Sequence, residues 1–298
     1  HSFPTRRSSD LAGKTVVDVD ALFSEQAAES EGQEDFAQIY GQTEVKRAAE
    51  IAAAGMHNFL MIGPPGSGKT MIARRIPGIL PRLSLEESLE ITKIYSIAGL
   101  LPERGSLLLK RPFRSPHHTT TAEALAGGGR IPGPGEVSLS SKGILFLDEL
   151  PEFRRTALEI LRQPLEEKRI CISRTAGTYT FPADFMLVAA MNPCACGYYP
   201  DRNRCCCAQR DVIRYLGKLS QPLLDRIDIC ANVSPVGFDA LQQTGKEEST
   251  AEIRTRVEQA HEIQKERYLG LKARFNAQLG AGDTEKYCGL GKKEKELL

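Results

Sequence analysis

The segment Gly63–Thr70 reads GPPGSGKT, the spacing of a loop that holds nucleotide phosphates. Its glycines let backbone N–H groups curl around phosphate oxygens, and a helix opening behind the loop points its positive end at them. In that arrangement Gly63, Pro64, Pro65, Gly66, Ser67 and Gly68 form the cradle. Lys69 then reaches the β- and γ-phosphates of ATP, and the Thr70 hydroxyl ligates Mg2+. A chance glycine loop could carry the same letters. Here, however, the motif follows an apolar run, Asn58–Ile62, and precedes a helical pattern, the context its chemistry requires.

Two further strand ends carry suitable groups. Ile144–Glu149 reads ILFLDE, a short apolar run closed by two acids. Asp148 at the carboxyl end of a buried strand is placed to hold the metal through water, and Glu149 to orient and deprotonate an attacking water. A strand-end acid can also serve only as a helix cap; the upstream phosphate loop favours the chemical reading. No Asn-Lys-x-Asp guanine reader is present, which argues against a GTPase. Asn192 follows the apolar run Phe185–Met191, where its amide can bond the γ-phosphate or the water. Pro193 leaves a plain Asn-Pro turn as the alternative.

These groups need a scaffold that brings strand ends together. Apolar runs Asn58–Ile62, Ile144–Leu147, Phe185–Met191 and Ile227–Val233 alternate with helical patterns at Glu44–Ala54, Arg154–Glu167 and Asp211–Leu219. The alternation predicts an α/β fold, a parallel sheet flanked by helices on both faces. Thr119–Ser140, rich in Gly and Pro, is expected to be an exposed hairpin or loop. Lys168–Pro182 alternates polar and apolar residues around a Thr-Ala-Gly turn and reads as a β-hairpin. Ser249–Tyr268 places Ile253, Val257, Ala260 and Ile263 on one helical face.

Composition narrows the class. Of 298 residues, 41% are hydrophobic and 26% charged, and the net charge is +1. Collagen-like, coiled-coil and fully disordered chains are excluded, as is a global basic field. No apolar run approaches the ~18 residues of a membrane span. Eight cysteines without a secretory leader suit a reducing compartment, so a cytoplasmic location is expected. His1–Asp10 (HSFPTRRSSD) reads as a foreign leader, and Val16–Asp35 as an acidic linker.

The order GPPGSGKT, ILFLDE, hairpin, LVAAMNP and PLLDRID resembles the magnesium-chelatase-like branch of the AAA+ ATPases. The longer stretches EIAAAGMHNFLMIGPPGSGKT, RPFRSPHH, LAGGG, PGEVSLSSKGILFLDELPEF and MNPCACGYY are similar to the ComM/YifB type of bacterial protein. The resemblance is dense from Phe36 to Pro235. It implies a P-loop AAA+ core with a helix-two insert at Thr119–Ser140, a pre-sensor β-hairpin at Lys168–Pro182 and a partial helical lid. The corresponding division is 1–35 as leader and linker, 36–236 as ATPase core and 237–298 as the start of a truncated lid. A homo-oligomeric, usually hexameric ring is implied, with ATP between subunits. In it Lys69 and Thr70 match the Walker A pair, Asp148 and Glu149 the Walker B pair, and Asn192 the first sensor. Arg226 matches the arginine finger that acts on the neighbouring subunit; a local ion pair with Asp225 or Asp228 is the alternative.

The resemblance also implies DNA as a partner and branch migration as the activity. Pore-facing Lys168, Arg169 and Arg174 would then touch phosphates, unless they form only a solvated rim. Two other functions fit the same motifs: a magnesium-chelatase subunit driving metal insertion into a porphyrin, and an ATP-binding scaffold with little hydrolysis. Relatives of this type carry a Lon-protease-like domain upstream and a second sensor arginine in later lid helices. Here only an acidic stretch precedes Phe36, and neither Arg254 nor Arg256 is assigned that role.

Five of the eight cysteines fall within CACGYYPDRNRCCC. The pairs Cys194/Cys196 and Cys205/Cys207 could bring four thiolates around Zn2+, although one intervening residue is a tight spacing; free thiols and disulfides are the alternatives. Cys206 has no assigned partner, and Cys171, Cys230 and Cys288 read as small apolar residues. His117 and His118, adjacent in an extended segment, are expected on opposite faces in a structural or pore-proximal role.

Overall fold

Every residue of Ile144–Leu147 and Met186–Met191 is buried, and their side chains alternate between two separate cores. Ile144, Phe146, Met186 and Val188 enter one; Leu145, Leu147, Leu187 and Ala189 enter the other. A strand with helices on both faces must be apolar throughout, which is why these runs lack a polar alternation. The computed structural model describes residues 34–101, 107–129, 132–174, 177–237 and 247–297, which belong to one compact unit. No helix among them is long and apolar enough to cross a membrane.

In chain order the strands are β1 (Phe59–Ile62), β2 (Phe113–Arg114), β3 (Gly127–Gly128), β4 (Gly133–Pro134), β5 (Ile144–Leu147), β6 (Arg169–Arg174), β7 (Gly177–Pro182), β8 (Met186–Met191) and β9 (Ile229–Asn232). Five form a parallel sheet in the order β2-β5-β8-β1-β9. β1 and β8 lie side by side, with Ile62 opposite Met191, and Leu147 of β5 pairs with Ala189. The residues that leave the carboxyl ends of these three neighbours therefore emerge along one edge. β2 has no counterpart among the expected strands. It is two residues long and sits between Pro112 and Pro116, too short to show a period.

Helices α1 (Thr43–Gly55) and α2 (Lys69–Ile79) cover the first face through Val45, Ala49, Ile72 and Ile76. The segment Thr119–Ser140, expected as an exposed hairpin or loop, does contain a hairpin, β3–β4, but its flanks are buried. It folds as α3 (Ala122–Ala126), the β3–β4 ribbon and α4 (Glu136–Leu139), and buries Leu125, Val137 and Leu139. The glycines lie in the ribbon or immediately beside it, while the flanking short helices carry the apolar side chains. The expected helix Arg154–Glu167 is two pieces, Arg155–Glu159 and Arg162–Glu167. Pro164 explains the break, because it has no N–H for the Ile160 carbonyl and its ring crowds that group. The β6–β7 hairpin matches its expected span closely, with Ile172 opposite Tyr179.

Helix α5 (Gln209–Leu216) packs Tyr215 on the second face. Farther along, Thr250–Arg267 seals the first face with Ile253 and Val257. Its buried stripe departs from the expected one: Ile263 is exposed and Gln264 is buried instead. Gln264 is tolerated there because its amide donates to the Ala54 carbonyl (2.8 Å) and accepts from the Asn276 N–H (2.9 Å).

The same helix is fastened by charge. Arg256 donates through Nε to Glu50 Oε1 (2.6 Å), and Arg47 approaches the same oxygen at 3.1 Å. Burial of Glu50 works to raise its pKa, yet the two guanidiniums hold the carboxyl below its ordinary value. Glu50 thus adds stability above its unfolded pKa of about 4.5, and the contribution is lost as pH falls through the lower folded-state value. Arg256→Ala is expected to cost about 1–3 kcal/mol at pH 7, less than a fully buried pair because Arg47 remains. Urea unfolding at pH 7 and at pH 3 checks this. The difference between wild type and variant should shrink at the lower pH, and an equal difference at both would refute the account.

Candidate active site

The phosphate-loop segment leaves β1 and turns into α2 through glycines in the left-handed region, Gly66 at φ 76° and Gly68 at φ 90°. Side chains rarely adopt those angles, so the motif needs glycine there for its shape. Lys69 opens α2 with its side chain folded back over the loop. Its ammonium donates to the carbonyls of Gly63 (2.7 Å) and Pro64 (2.9 Å) and to Asn192 Oδ1 (3.2 Å). Burial pushes the Lys69 pKa down, and the charge of Asp148 works against that shift.

Thr70 Oγ1 donates to Asp148 Oδ2 at 2.7 Å, and Asp148 Oδ1 accepts the backbone N–H of Glu149 at 2.9 Å. A hydroxyl and a carboxylate at this separation, beside a buried ammonium and a helix N-terminus, make a donor set that suits Mg2+ and the phosphates of ATP. The site residues expected from three different segments, Lys69–Thr70, Asp148 and Asn192, are thus in direct contact. Glu149 is left-handed at φ 52°, and its side chain is 56% exposed and open to water.

His118 lies 3.1 Å through Nδ1 from Glu149 Oε2. Its ring also stacks on His117 at 4.1 Å between centroids and meets Phe153 edge-on at 6.5 Å. The two imidazoles are therefore neighbours, not on opposite faces, because the chain bends into a turn after β2 instead of continuing extended. His117 Nδ1 pairs with Thr119 Oγ1 at 2.9 Å. Tyr215, beneath the Asn192 backbone, is a second unforeseen neighbour, its pKa pushed up to about 12 by burial.

Arg226 is ion-paired with Glu166. Neither acid next to it in sequence is the partner. Asp225 accepts from Gln221 at 2.7 Å, and Asp228 accepts from the Asn58 N–H at 2.8 Å. Among the described residues Arg226 makes no hydrogen bond to the phosphate loop, Asp148, Glu149 or Asn192.

The cations proposed for DNA contact are partly engaged. Lys168 lies 3.8 Å from Asp184, and Arg169 Nε donates to Glu167 at 3.1 Å. Arg174 ends β6 opposite Gly177, and its side chain lies outside the described residues. Cys194, Cys196, Cys205 and Cys207 gather, with their Sγ atoms all within 4.8 Å of one another. Cys206 is exposed and outside the group. Cys171, Cys230 and Cys288 are exposed as well, contrary to their reading as apolar filler. Cys171 and Cys230 lie on strands with at least one open face.

Residues 35–241 match the family described as magnesium chelatase, subunit ChlI, and residues 247–298 match its C-terminal part. An uncharacterized protein, YifB of Salmonella typhimurium, is 48% identical over 86% of this chain and 50% of its own length. Competence protein ComM of Haemophilus influenzae is 44% identical over 89% of this chain and 51% of its own. The magnesium-chelatase 67 kDa subunit of Chlorobaculum parvum is 25% identical over 67% and 27% respectively. The chain thus spans about half the length of the first two of these relatives.

Proposed function

The chain belongs to the magnesium chelatase ChlI family of AAA+ ATPases, and on that premise we propose that it hydrolyses ATP with Mg2+ as part of a ring motor acting on DNA. The observation that carries the hydrolytic part is the convergence of three strand ends. Lys69 touches Asn192, Thr70 touches Asp148, and the solvent-exposed Glu149 carboxylate follows Asp148 directly, with His118 at 3.1 Å. A scaffold that only binds ATP has no need for that carboxylate.

In this reading the loop N–H groups and Lys69 bind and orient the phosphates. Thr70 and Asp148 would hold Mg2+, which when bound would supply neutralisation of the phosphate charge. Asn192 exchanges its bond to Lys69 for one to the γ-phosphate or the water, and Glu149 removes the proton from that water. Arg226 acts on the neighbouring subunit, so turnover requires assembly, a homo-hexamer in this proposal. The 36–236 core holds all of these groups, and residues 237–298 contribute helices of a lid.

The DNA assignment rests on the greater likeness to ComM-type proteins than to the chelatase subunit, and on the hairpin cations Lys168, Arg169 and Arg174. Their ion pairs with Asp184 and Glu167 would be exchanged for phosphates, an exchange that salt suppresses. Metal insertion into a porphyrin is the competing use of the same motor, favoured by the family match itself. A reducing, cytoplasmic setting is part of the same proposal and is supported by the eight cysteines of the sequence.

ATP hydrolysis measured alone, with single-stranded DNA and with branched DNA tests the proposal. DNA should raise turnover several-fold, and Lys69→Ala should lower it about a hundredfold or more. No response to either DNA would remove the DNA assignment, and an unaffected Lys69→Ala would remove the hydrolytic one.

A further inference from the structure

We propose that Cys194, Cys196, Cys205 and Cys207 form a structural Zn2+ site that clamps the segment after Asn192 against the phosphate loop. Tetrahedral zinc with Zn–S bonds of about 2.3 Å requires its sulfurs to stand about 3.8 Å apart. The observed Sγ separations are 3.8 Å for Cys194–Cys205, 3.6 Å for Cys196–Cys205 and 3.3 Å for Cys194–Cys196. Cys207 lies inside the same 4.8 Å envelope. Thiols are weak hydrogen-bond partners, so four of them gain little by crowding together without a cation.

The chain between the two Cys-x-Cys arms is built to bring them together. The Gly197 N–H donates to the Cys194 carbonyl (3.0 Å), Asp201 to Tyr198 (2.9 Å) and Cys205 to Asp201 (2.7 Å), which turn the loop back on itself. The Tyr199 N–H donates to Cys194 Sγ at 3.4 Å, the kind of contact that steadies a metal-bound thiolate. Zinc with four thiolates carries a net charge of −2. The loop carries Arg202 and Arg204, stacked on Tyr199 and Tyr198 at 5.5 and 4.1 Å, so its own charge is of the opposite sign. Four sulfurs fill the coordination sphere and leave no open position for chemistry, which makes the role structural.

Its position gives the site a mechanical consequence. Cys194 is two residues beyond Asn192, and Gly197 sits so close to the phosphate loop that a Cβ there would lie 2.5 Å from Pro65 Cδ. A metal joining both arms would fix the strand end that bears Asn192 and the loop that binds phosphate as one unit. Metal binding does not depend on ATP hydrolysis, so failure of this inference leaves the proposed activity standing, and the reverse.

The test is the metal content of the protein purified without added metal, read by mass spectrometry and by dye-detected release with a mercurial. About one zinc per chain is expected, retained in Cys206→Ser and falling below about 0.2 in the double variant Cys205→Ser/Cys207→Ser. If the double variant fails to fold, the wild-type zinc content and its mercurial release still decide. Wild type with less than about 0.2 zinc per chain, iron in place of zinc, or full zinc in a folded double variant would each overturn the site. Zinc should also slow tryptic cleavage at Arg202 and Arg204 by about tenfold or more relative to the metal-depleted protein, and equal cleavage rates would overturn the clamp.

Discussion

Glu149→Gln is expected to lower ATP turnover by about 10²–10⁴-fold while leaving nucleotide affinity within a few-fold. The substitution keeps the size of the side chain and removes only its ability to take a proton. Affinity should survive because the contacts that hold phosphate and metal belong to Lys69, Thr70 and Asp148, and Glu149 touches none of them through its carboxyl. Its one described carboxyl contact is His118, at 3.1 Å. An exposed glutamate has many rotamers, and the imidazole restricts them. His118→Ala is accordingly expected to reduce turnover about tenfold, the scale of releasing one side chain to rotate. Single-turnover hydrolysis alongside fluorescent-nucleotide binding separates the two quantities. A Glu149→Gln variant that turns over like wild type would show that Glu149 is not the base, and tightened or lost binding would show that it serves the phosphates.

The contrast between Glu149 and His118 shows what the amino-acid order makes legible. The phosphate loop is readable because its chemistry lies within eight consecutive residues, and the strand before it is continuous apolar sequence. Asp148 and Asn192 are readable for a related reason: a buried parallel strand ends abruptly, and the first polar residue after it must lie at the sheet edge. That rule places them near the loop without stating any contact. The contacts come from strand order, β5-β8-β1, which sets Leu147 and Ile62 on either side of β8.

His118 escapes the same logic because it follows a two-residue strand between prolines, where no period can develop. Gln264 escapes for the opposite reason. A helical period predicts an apolar residue on its face, and one amide that satisfies both its donor and its acceptor can take the position at little cost. The composition of Thr119–Ser140 reveals the hairpin, which Gly and Pro mark, but not the burial of Leu125 and Val137 at its ends. Cysteine spacing raises metal binding as one option among three. The loop turns that gather the sulfurs are what give it geometry.

Arg226→Ala is expected to reduce hydrolysis about 10³-fold in the assembled ring, the lower range for a guanidinium supplied in trans. The structure adds a condition to that expectation. Arg226 is held by Glu166 on the same chain and is about one-third exposed. An ion pair this accessible is worth under about 1 kcal/mol, whereas a 10³-fold effect on rate corresponds to about 4 kcal/mol. The pair with Glu166 is therefore too weak to hold the arginine back once a neighbour offers a γ-phosphate, yet strong enough to park it in the isolated chain. Mixing gives the decisive measurement. Arg226→Ala subunits have an intact ATP site and no finger, and Lys69→Ala subunits have the reverse, so each alone should be nearly inactive. Combined in one ring, an interface with an intact Lys69 facing an intact Arg226 is complete, and part of the activity should return. A mixture as inactive as its components, with both variants shown to assemble, would mean that Arg226 acts within its own chain or only supports the fold. A wild-type rate for Arg226→Ala would leave Glu166 as its sole partner.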